Sequence, residues 1–298
     1  MSPHKRDPVP LTDDDEEVPT VVRKAAKKET PCQNNDSQQQ KQENEQEKVV
    51  ETEDDCAKES VGKASKKSLP KSNQEYGNKE YWEQRFQGEE EHEWLLSFQQ
   101  LSSQLIPFLR PESRILVIGC GNSPFSADLY DAGYPNIVNI DFSANVIERM
   151  AEKHAEQRPK MQWRVMDMTD MSDLAAASFD VVIDKATMDA LMTLEGDVWY
   201  PNDCVIASAR AMCRHVSRIL DPSGGTFLQI SLAQPHFRKK YLLGWHSNEP
   251  GTDLDQTDDT FSKEFEWSFR YEIAGDPSES YFEHYLYIMA KKISDSRQ

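Results

Sequence analysis

Two glycines, two aspartates and a set of aromatic rings carry the chemistry available to this sequence. Gly119 and Gly121 follow directly on the apolar run Ile115-Leu116-Val117-Ile118, and Asn122-Ser123-Pro124 comes next. Such a run reads as a buried parallel strand. Glycines after it let the backbone turn sharply and approach a ligand closely. The proline suits the first turn of a helix, whose N–H groups face that ligand. Asp141 closes a second apolar run, Ile137–Ile140, 22 positions after Gly119. A carboxylate at about that distance accepts hydrogen bonds from ribose hydroxyls. The plainer alternative is an aspartate that only caps the following helix. Asp167 ends a third run, Met161–Met166, where an adenine amino group would need an acceptor.

These residues discriminate between nucleotides. The dinucleotide fingerprint has a third glycine for close helix–strand packing, and this chain has Pro124 there. Acidic residues at two successive strand ends fit an adenosine without a pyrophosphate. S-adenosylmethionine is such a molecule, and its sulfonium is a cation that aromatic faces favour. Trp82, Phe86 and Trp94 could supply those faces; ordinary core packing is the competing reading of their spacing.

The elements that must position these residues alternate. Strands are expected at Arg114–Ile118, Ile137–Ile140, Met161–Met166, Phe179–Ile183 and Thr226–Ser231, with helices at Pro124–Asp131, Ser143–Gln157 and Asp203–Leu220. Alternation of this kind means a parallel sheet with right-handed crossovers. Two further strands, Phe265–Ile273 and Tyr281–Ala290, flank a turn at Gly275-Asp276-Pro277. The expected fold is therefore α/β, a Rossmann-like doubly wound sheet of seven strands, mostly parallel, with a C-terminal antiparallel hairpin. Ligands bind such sheets beyond the carboxyl ends of the strands, where strand order reverses. Upstream, a short helix is expected over Asn78–Phe86, ended by Gly88, and a longer one over Glu93–Leu109.

Composition divides the 298 residues in two. Residues 1–73 contain no Trp, Tyr or Phe and hold polar runs such as Gln38-Gln39-Gln40. Such a segment buries too little apolar surface to offset its chain entropy and is expected to be disordered. Residues 74–298 form the expected globular domain, interrupted by an acidic insertion at 245–260 that carries Asp253, Asp255, Asp258 and Asp259. That insertion lacks the glycine and terminal glutamate of a calcium loop, and no metal is expected. Of the net charge of −18, residues 74–298 contribute −15. So acidic a domain is a poor binder of nucleic acid and a fit partner for a basic protein; acidity that serves solubility alone is the alternative. Five cysteines with no C-x-x-C pair indicate neither a disulfide framework nor a zinc site. No signal peptide or membrane-length apolar run stands out, so the expected location is the cytosol, with the nucleus second. Lys24, Lys27, Lys28, Lys66 and Lys67 form only weak basic clusters.

From Tyr76 to Lys291 the chain resembles the seven-strand class I methyltransferases, and within them the elongation factor 1A lysine methyltransferases. The resemblance rests on Glu80–Phe86, Ile115–Ser123, Asp141-Phe142-Ser143, Met166-Asp167-Met168, Ser178–Leu191, Val216–Leu220 and Pro235–Arg238. It implies that the N-terminal aromatics fold over the cofactor, with Trp82, Phe86 and Trp94 near its methionine end. Phe86 stands where relatives usually carry Tyr. Gly119 and Gly121 would meet the cofactor through their backbone, Asp141 the ribose, Phe142 and Met168 the adenine faces, and Asp167 the amino group. Lys185 would contribute mainly its backbone. The implied activity is methyl transfer to a lysine of elongation factor 1A, a basic protein. Other readings are a small-molecule methyltransferase, a non-catalytic cofactor-binding module and, against Pro124, a nicotinamide oxidoreductase. Asp184, Asp189 and His236 are the candidate acid–base groups. Each has an equally good structural reading, the first two at a helix start and the third as a helix cap, so no catalytic residue is assigned.

Overall fold

The computed structural model describes residues 70–244, 260–278 and 282–291. Most of the expected polar tail, the basic clusters within it and the acidic insertion lie outside these residues.

Among the described residues, eight strands form one sheet: β1 (Ile115–Ile118), β2 (Ile137–Asp141), β3 (Gln162–Val165), β4 (Val181–Lys185), β5 (Thr226–Ser231), β6 (Phe261–Ser262), β7 (Trp267–Ala274) and β8 (His284–Lys291). Their order is β3-β2-β1-β4-β5-β8-β7-β6. β1 to β5 are mutually parallel, and β8, β7 and β6 add as antiparallel neighbours. Strand order reverses between β1 and β4, so the glycine turn and Asp184 end adjacent strands. Ile118 and Asp184 are paired in register. The sheet has one strand more than the seven expected. β6 is two residues long and pairs with Trp267 and Ser268, too short to show alternation in a sequence.

The helices are α1 (Lys79–Gly88), α2 (Phe98–Leu105), α3 (Phe125–Asp131), α4 (Ala144–His154), α5 (Thr187–Met192), α6 (Asp203–Ile219) and α7 (Pro235–Leu243). They cover both faces of the sheet. Ile115 and Val117 of β1 pack with Phe86, Leu101, Phe125 and Val146 on one face. Leu116 and Ile118 pack with Met188, Met212, Val216 and Trp267 on the other. β1 is buried along its whole length, as a strand covered on both faces must be.

The helix expected over Glu93–Leu109 is shorter. Leu95 takes a positive φ of 60°, which an α-helix does not accommodate. Ser97 then starts α2 with a capping box: its side chain accepts from the Gln100 N–H and the Gln100 side chain accepts from the Ser97 N–H. Ile106-Pro107-Phe108 continues α2 as a 3₁₀ turn. Glu93 and Trp94 thus lie in an extended segment, not on a helix. At the other boundary the sequence is a sound guide: Ser143 caps α4, its hydroxyl accepting from the Val146 N–H at 3.4 Å. α5, between β4 and α6, is six residues long, too short to show a helical period in the sequence. Cys120 and Cys213 are buried free thiols, and no helix among the described residues is long and apolar enough to cross a membrane.

Candidate functional site

The glycine turn sits at the carboxyl end of β1. Gly119 and Gly121 have φ of 58° and 51°, the left-handed region that other residues enter at a cost. A Cβ on Gly119 would collide with the side chain of Thr187, and one on Gly121 would lie 3.5 Å from the ring of Phe86. Thr187 is held there because its hydroxyl donates to the Ile118 carbonyl at 3.0 Å.

Asp141 ends β2 beside this turn. One carboxylate oxygen accepts from the Gly121 N–H at 3.0 Å and the other from the Ser143 N–H at 2.9 Å. Each oxygen keeps acceptor capacity for a hydroxyl. Burial pushes the carboxyl up to about 6, against the pull of those two N–H groups. Asp141 braces the α4 start and the glycine turn, and its remaining lone pairs are open to a ligand hydroxyl.

Downstream, the Met166 N–H donates to the Asp141 carbonyl at 2.9 Å and leads into Asp167. Asp167 is exposed, with Oδ1 accepting from the Thr169 N–H and hydroxyl, each at 2.8 Å. Met168 packs against the face of the sheet that holds α6. Phe142 is half-buried, with the Lys79 ammonium 5.6 Å from its ring.

The N-terminal segment closes over the turn. Phe86 is buried, and its ring lies 5.5 Å from that of Trp82. Trp82 in turn lies 5.8 Å from both Trp94 and Tyr76. α1 is tied down at several points. Arg149 of α4 donates to the Phe86 and Glu89 carbonyls, the Ser143 hydroxyl donates to Glu83 at 2.9 Å, and Asn122 donates to the Glu89 carbonyl at 3.1 Å. The sequence reading offered the faces of Trp82 and Trp94 to a cation. The structure places an internal cation on them: the Arg85 guanidinium lies 5.6 Å from the Trp82 ring and 4.7 Å from the Trp94 ring.

Lys185 ends β4, and the structure gives its side chain a place that the sequence left open. Its side chain is buried, pairs with Glu93 and donates to the Trp94 carbonyl at 2.7 Å. Burial lowers its ammonium below the ordinary lysine value, opposed by Glu93. The side chain, not only the backbone, fastens the N-terminal segment to the sheet. Glu93 also accepts from the Ser123 hydroxyl at 2.8 Å. Glu93 and Asn122 are the site residues that the sequence missed. Glu93 belongs to the acidic stretch Glu89-Glu90-Glu91-His92-Glu93, which reads as a solvated face.

Of the acid–base candidates, Asp184 is fully buried. It accepts from the Thr187 N–H at 2.9 Å, the Met188 N–H at 3.3 Å and the Gln229 amide at 2.8 Å. Burial pushes its carboxyl up to about 6. It is the helix-start acid of α5, enclosed away from any substrate. Asp189 accepts from Arg238, from the Ser231 hydroxyl at 2.6 Å and from the Leu232 N–H at 3.1 Å. His236 is exposed, its ring 3.8 Å from that of Phe237; it lies in the first turn of α7, and Gln234 takes the cap position.

The residues present fit an adenosyl group carrying a cationic amino acid. Two buried acceptor atoms beside the turn, Glu93 Oε2 and Asn122 Oδ1, have no hydrogen-bond partner. Buried acceptors of this kind are costly unless a donor satisfies them, and an ammonium does so. S-adenosylmethionine is a ligand of this kind.

Residues 115–224 match the family described as a methyltransferase domain. EEF1A lysine methyltransferase 4 of Bos taurus is 33% identical over 226 residues, which is 75% of this chain and 79% of the relative. The Mus musculus protein is 35% identical over 67% of this chain and 77% of its own. The eEF1A lysine and N-terminal methyltransferase of Bos taurus is 44% identical over 183 residues, 61% of this chain. The match spans only 25% of the length of that relative. The chain belongs to the methyltransferase family of EEF1A lysine methyltransferase 4.

Proposed function

We propose that this protein methylates a lysine side chain of elongation factor 1A. The observation that carries the reading is the match to EEF1A lysine methyltransferase 4, which covers 79% of that relative at 33% identity. The acidity of residues 74–298, 36 Asp and Glu against 21 Lys and Arg, supports a basic protein as partner.

When bound, S-adenosylmethionine supplies a methyl group on a sulfonium sulfur. The residues that would hold it are Gly119 and Gly121 through their backbone, Asp141 and Asp167 through their carboxylates, and Phe142 and Phe86 through their rings. Met168 would support the adenine side, with Trp82 and Trp94 behind the N-terminal segment. Glu93 and Asn122 would accept from its ammonium, with Lys185 keeping Glu93 in place.

The incoming lysine must be neutral. Deprotonation at pH 7 costs about 5 kcal/mol for a group of pKa near 10.4. Fixing two reactants in line contributes roughly 7–11 kcal/mol. Alignment outweighs deprotonation, so a dedicated base is not required, in keeping with the enclosure of Asp184 and the pairing of Asp189 with Arg238.

The test is incubation of the full chain with labelled S-adenosylmethionine and a hypomethylated eukaryotic lysate. Label on a lysine of elongation factor 1A is expected. Label on metabolites alone would replace the protein substrate with a small one, and cofactor binding without transfer would make the chain a binding module.

A further inference from the structure

The loop from Glu195 to Asn202, which joins α5 to α6, has a fixed backbone and outward aromatic side chains. Gly196 takes a φ of 77°, and Gly196 and Pro201 form a β-bridge. The Asn202 N–H donates to the Glu195 carbonyl at 2.9 Å, and the Asn202 amide donates to the Leu194 carbonyl at 2.8 Å. Asp197 holds the tip, accepting from the Trp199 N–H at 2.8 Å on its side chain and from the Tyr200 N–H at 3.1 Å on its carbonyl. Lys240 of α7 donates to the Val198 carbonyl at 2.6 Å.

The side chains so displayed are apolar. Trp199 is 71% exposed and Tyr200 83%, with Leu232 beside the end of β5 at 49%. The Trp199 ring meets that of Phe237 edge-on at 6.2 Å. Single exposed apolar residues are ordinary, but adjacent Trp and Tyr on a pinned loop are the residue types that anchor protein interfaces. Ordering the loop in advance lowers the entropic cost of docking.

Position and charge name the partner. The loop leaves α5, which starts at β4. Leu232 follows β5, and its N–H is held by Asp189. These elements lie on the β4–β5 side of the strand-order reversal, opposite the β1–β2 side that holds the glycine turn and Asp141. The loop also abuts the lid, because Leu194 packs against Gly77, the neighbour of Tyr76. Asp197 and Asp203 are exposed on the loop and at the start of α6, within a domain of strongly negative charge. An aromatic pair flanked in sequence by Asp197 and Asp203, with Lys240 of α7 paired to Glu195 of the loop, suits a folded basic protein.

We propose that Trp199 and Tyr200 form the docking surface for the basic protein whose lysine is methylated. This rests on the proposed function, and it adds recognition of the folded partner at a distance from the target side chain. The test compares the wild-type chain with W199A/Y200A, using unmethylated recombinant elongation factor 1A and labelled S-adenosylmethionine. The variant is expected to raise KM for the protein substrate by about tenfold or more, the loss of roughly one interface anchor. Cofactor Kd, melting temperature and kcat at saturating substrate should stay near wild type, since both side chains are exposed and outside the cofactor site. An unchanged KM overturns the docking surface while leaving the substrate assignment intact. So does a wild-type dimer that the variant converts to monomer with KM unchanged, which would make the patch a self-interface. A wild-type chain that binds the cofactor but labels no elongation factor 1A overturns the proposed function, and the docking surface with it.

Discussion

Lys185, at the end of the fourth strand, and Glu93, in the extended segment before α2, form a buried ion pair across 92 positions of sequence. The pair joins the lid to the sheet, since Lys185 also holds the Trp94 carbonyl and Glu93 also holds Ser123 of the glycine turn. Lys185 is buried and Glu93 half-buried, so removing the lysine leaves a carboxylate that water and Ser123 still reach, at a cost of about 1–3 kcal/mol, below that of breaking a fully buried pair. Lys185→Met is therefore expected to lower stability by about that amount and to weaken cofactor binding. Glu93→Gln/Lys185→Met should cost less than the two single changes together. Urea denaturation and calorimetric titration with S-adenosylmethionine measure both effects. Strict additivity would show that the two side chains act separately.

Asp141 gives the site a pH dependence. Burial lifts its carboxyl from the ordinary 3.8 to about 6. The folded chain thus holds this proton more tightly than the unfolded chain between those values. The sign follows from linkage: this group lowers stability as pH rises from about 4 to 6, and adds no further change above. Ribose hydroxyls donate more strongly to an ionised carboxylate than to a neutral carboxyl, so cofactor affinity should fall as pH drops below about 6. Asp141→Asn should flatten that profile and weaken binding at pH 7. Titration calorimetry from pH 5 to pH 8 checks it; a wild-type affinity independent of pH would separate Asp141 from the ligand.

Gly119 has little room for a side chain. Gly119→Ala places a β-carbon in a left-handed conformation, which costs about 1–2 kcal/mol, and drives it into Thr187. Loss of cofactor binding together with reduced stability is expected. Adding Thr187→Ala removes the colliding hydroxyl and methyl and should restore part of the stability. If thermal denaturation shows no such recovery, the cost lies in the backbone and in the contact with Thr187 Cβ, which the alanine retains.

His236 is the acid–base candidate that remains open to solvent. Transfer by alignment predicts that His236→Ala keeps kcat within a small factor of wild type. General-base catalysis contributes about 100-fold or more, so a loss of that size in kcat with unchanged cofactor Kd would assign His236 that role.

Much of the frame was legible in the chain. The apolar runs at 115–118, 137–140 and 226–231 reappear as β1, β2 and β5, and Ser143 caps α4 as its type and place suggest. Local signals were weaker where the chain is irregular. Leu95 breaks the expected long helix through a backbone angle that no apolar period encodes, and β6 is too short to alternate.

What the sequence alone determined is the strand–turn–helix cradle and the acidic strand ends, because backbone sterics and side-chain periodicity act over a few residues. The tertiary structure decided which side chains meet there. It set Phe86 against Gly121, turned Arg85 onto Trp82 and Trp94, paired Lys185 with Glu93, and enclosed Asp184 beneath α5. Those outcomes depend on burial and on partners tens of residues away, where the energy of a charge or a ring is set by its surroundings and not by its neighbours in the chain.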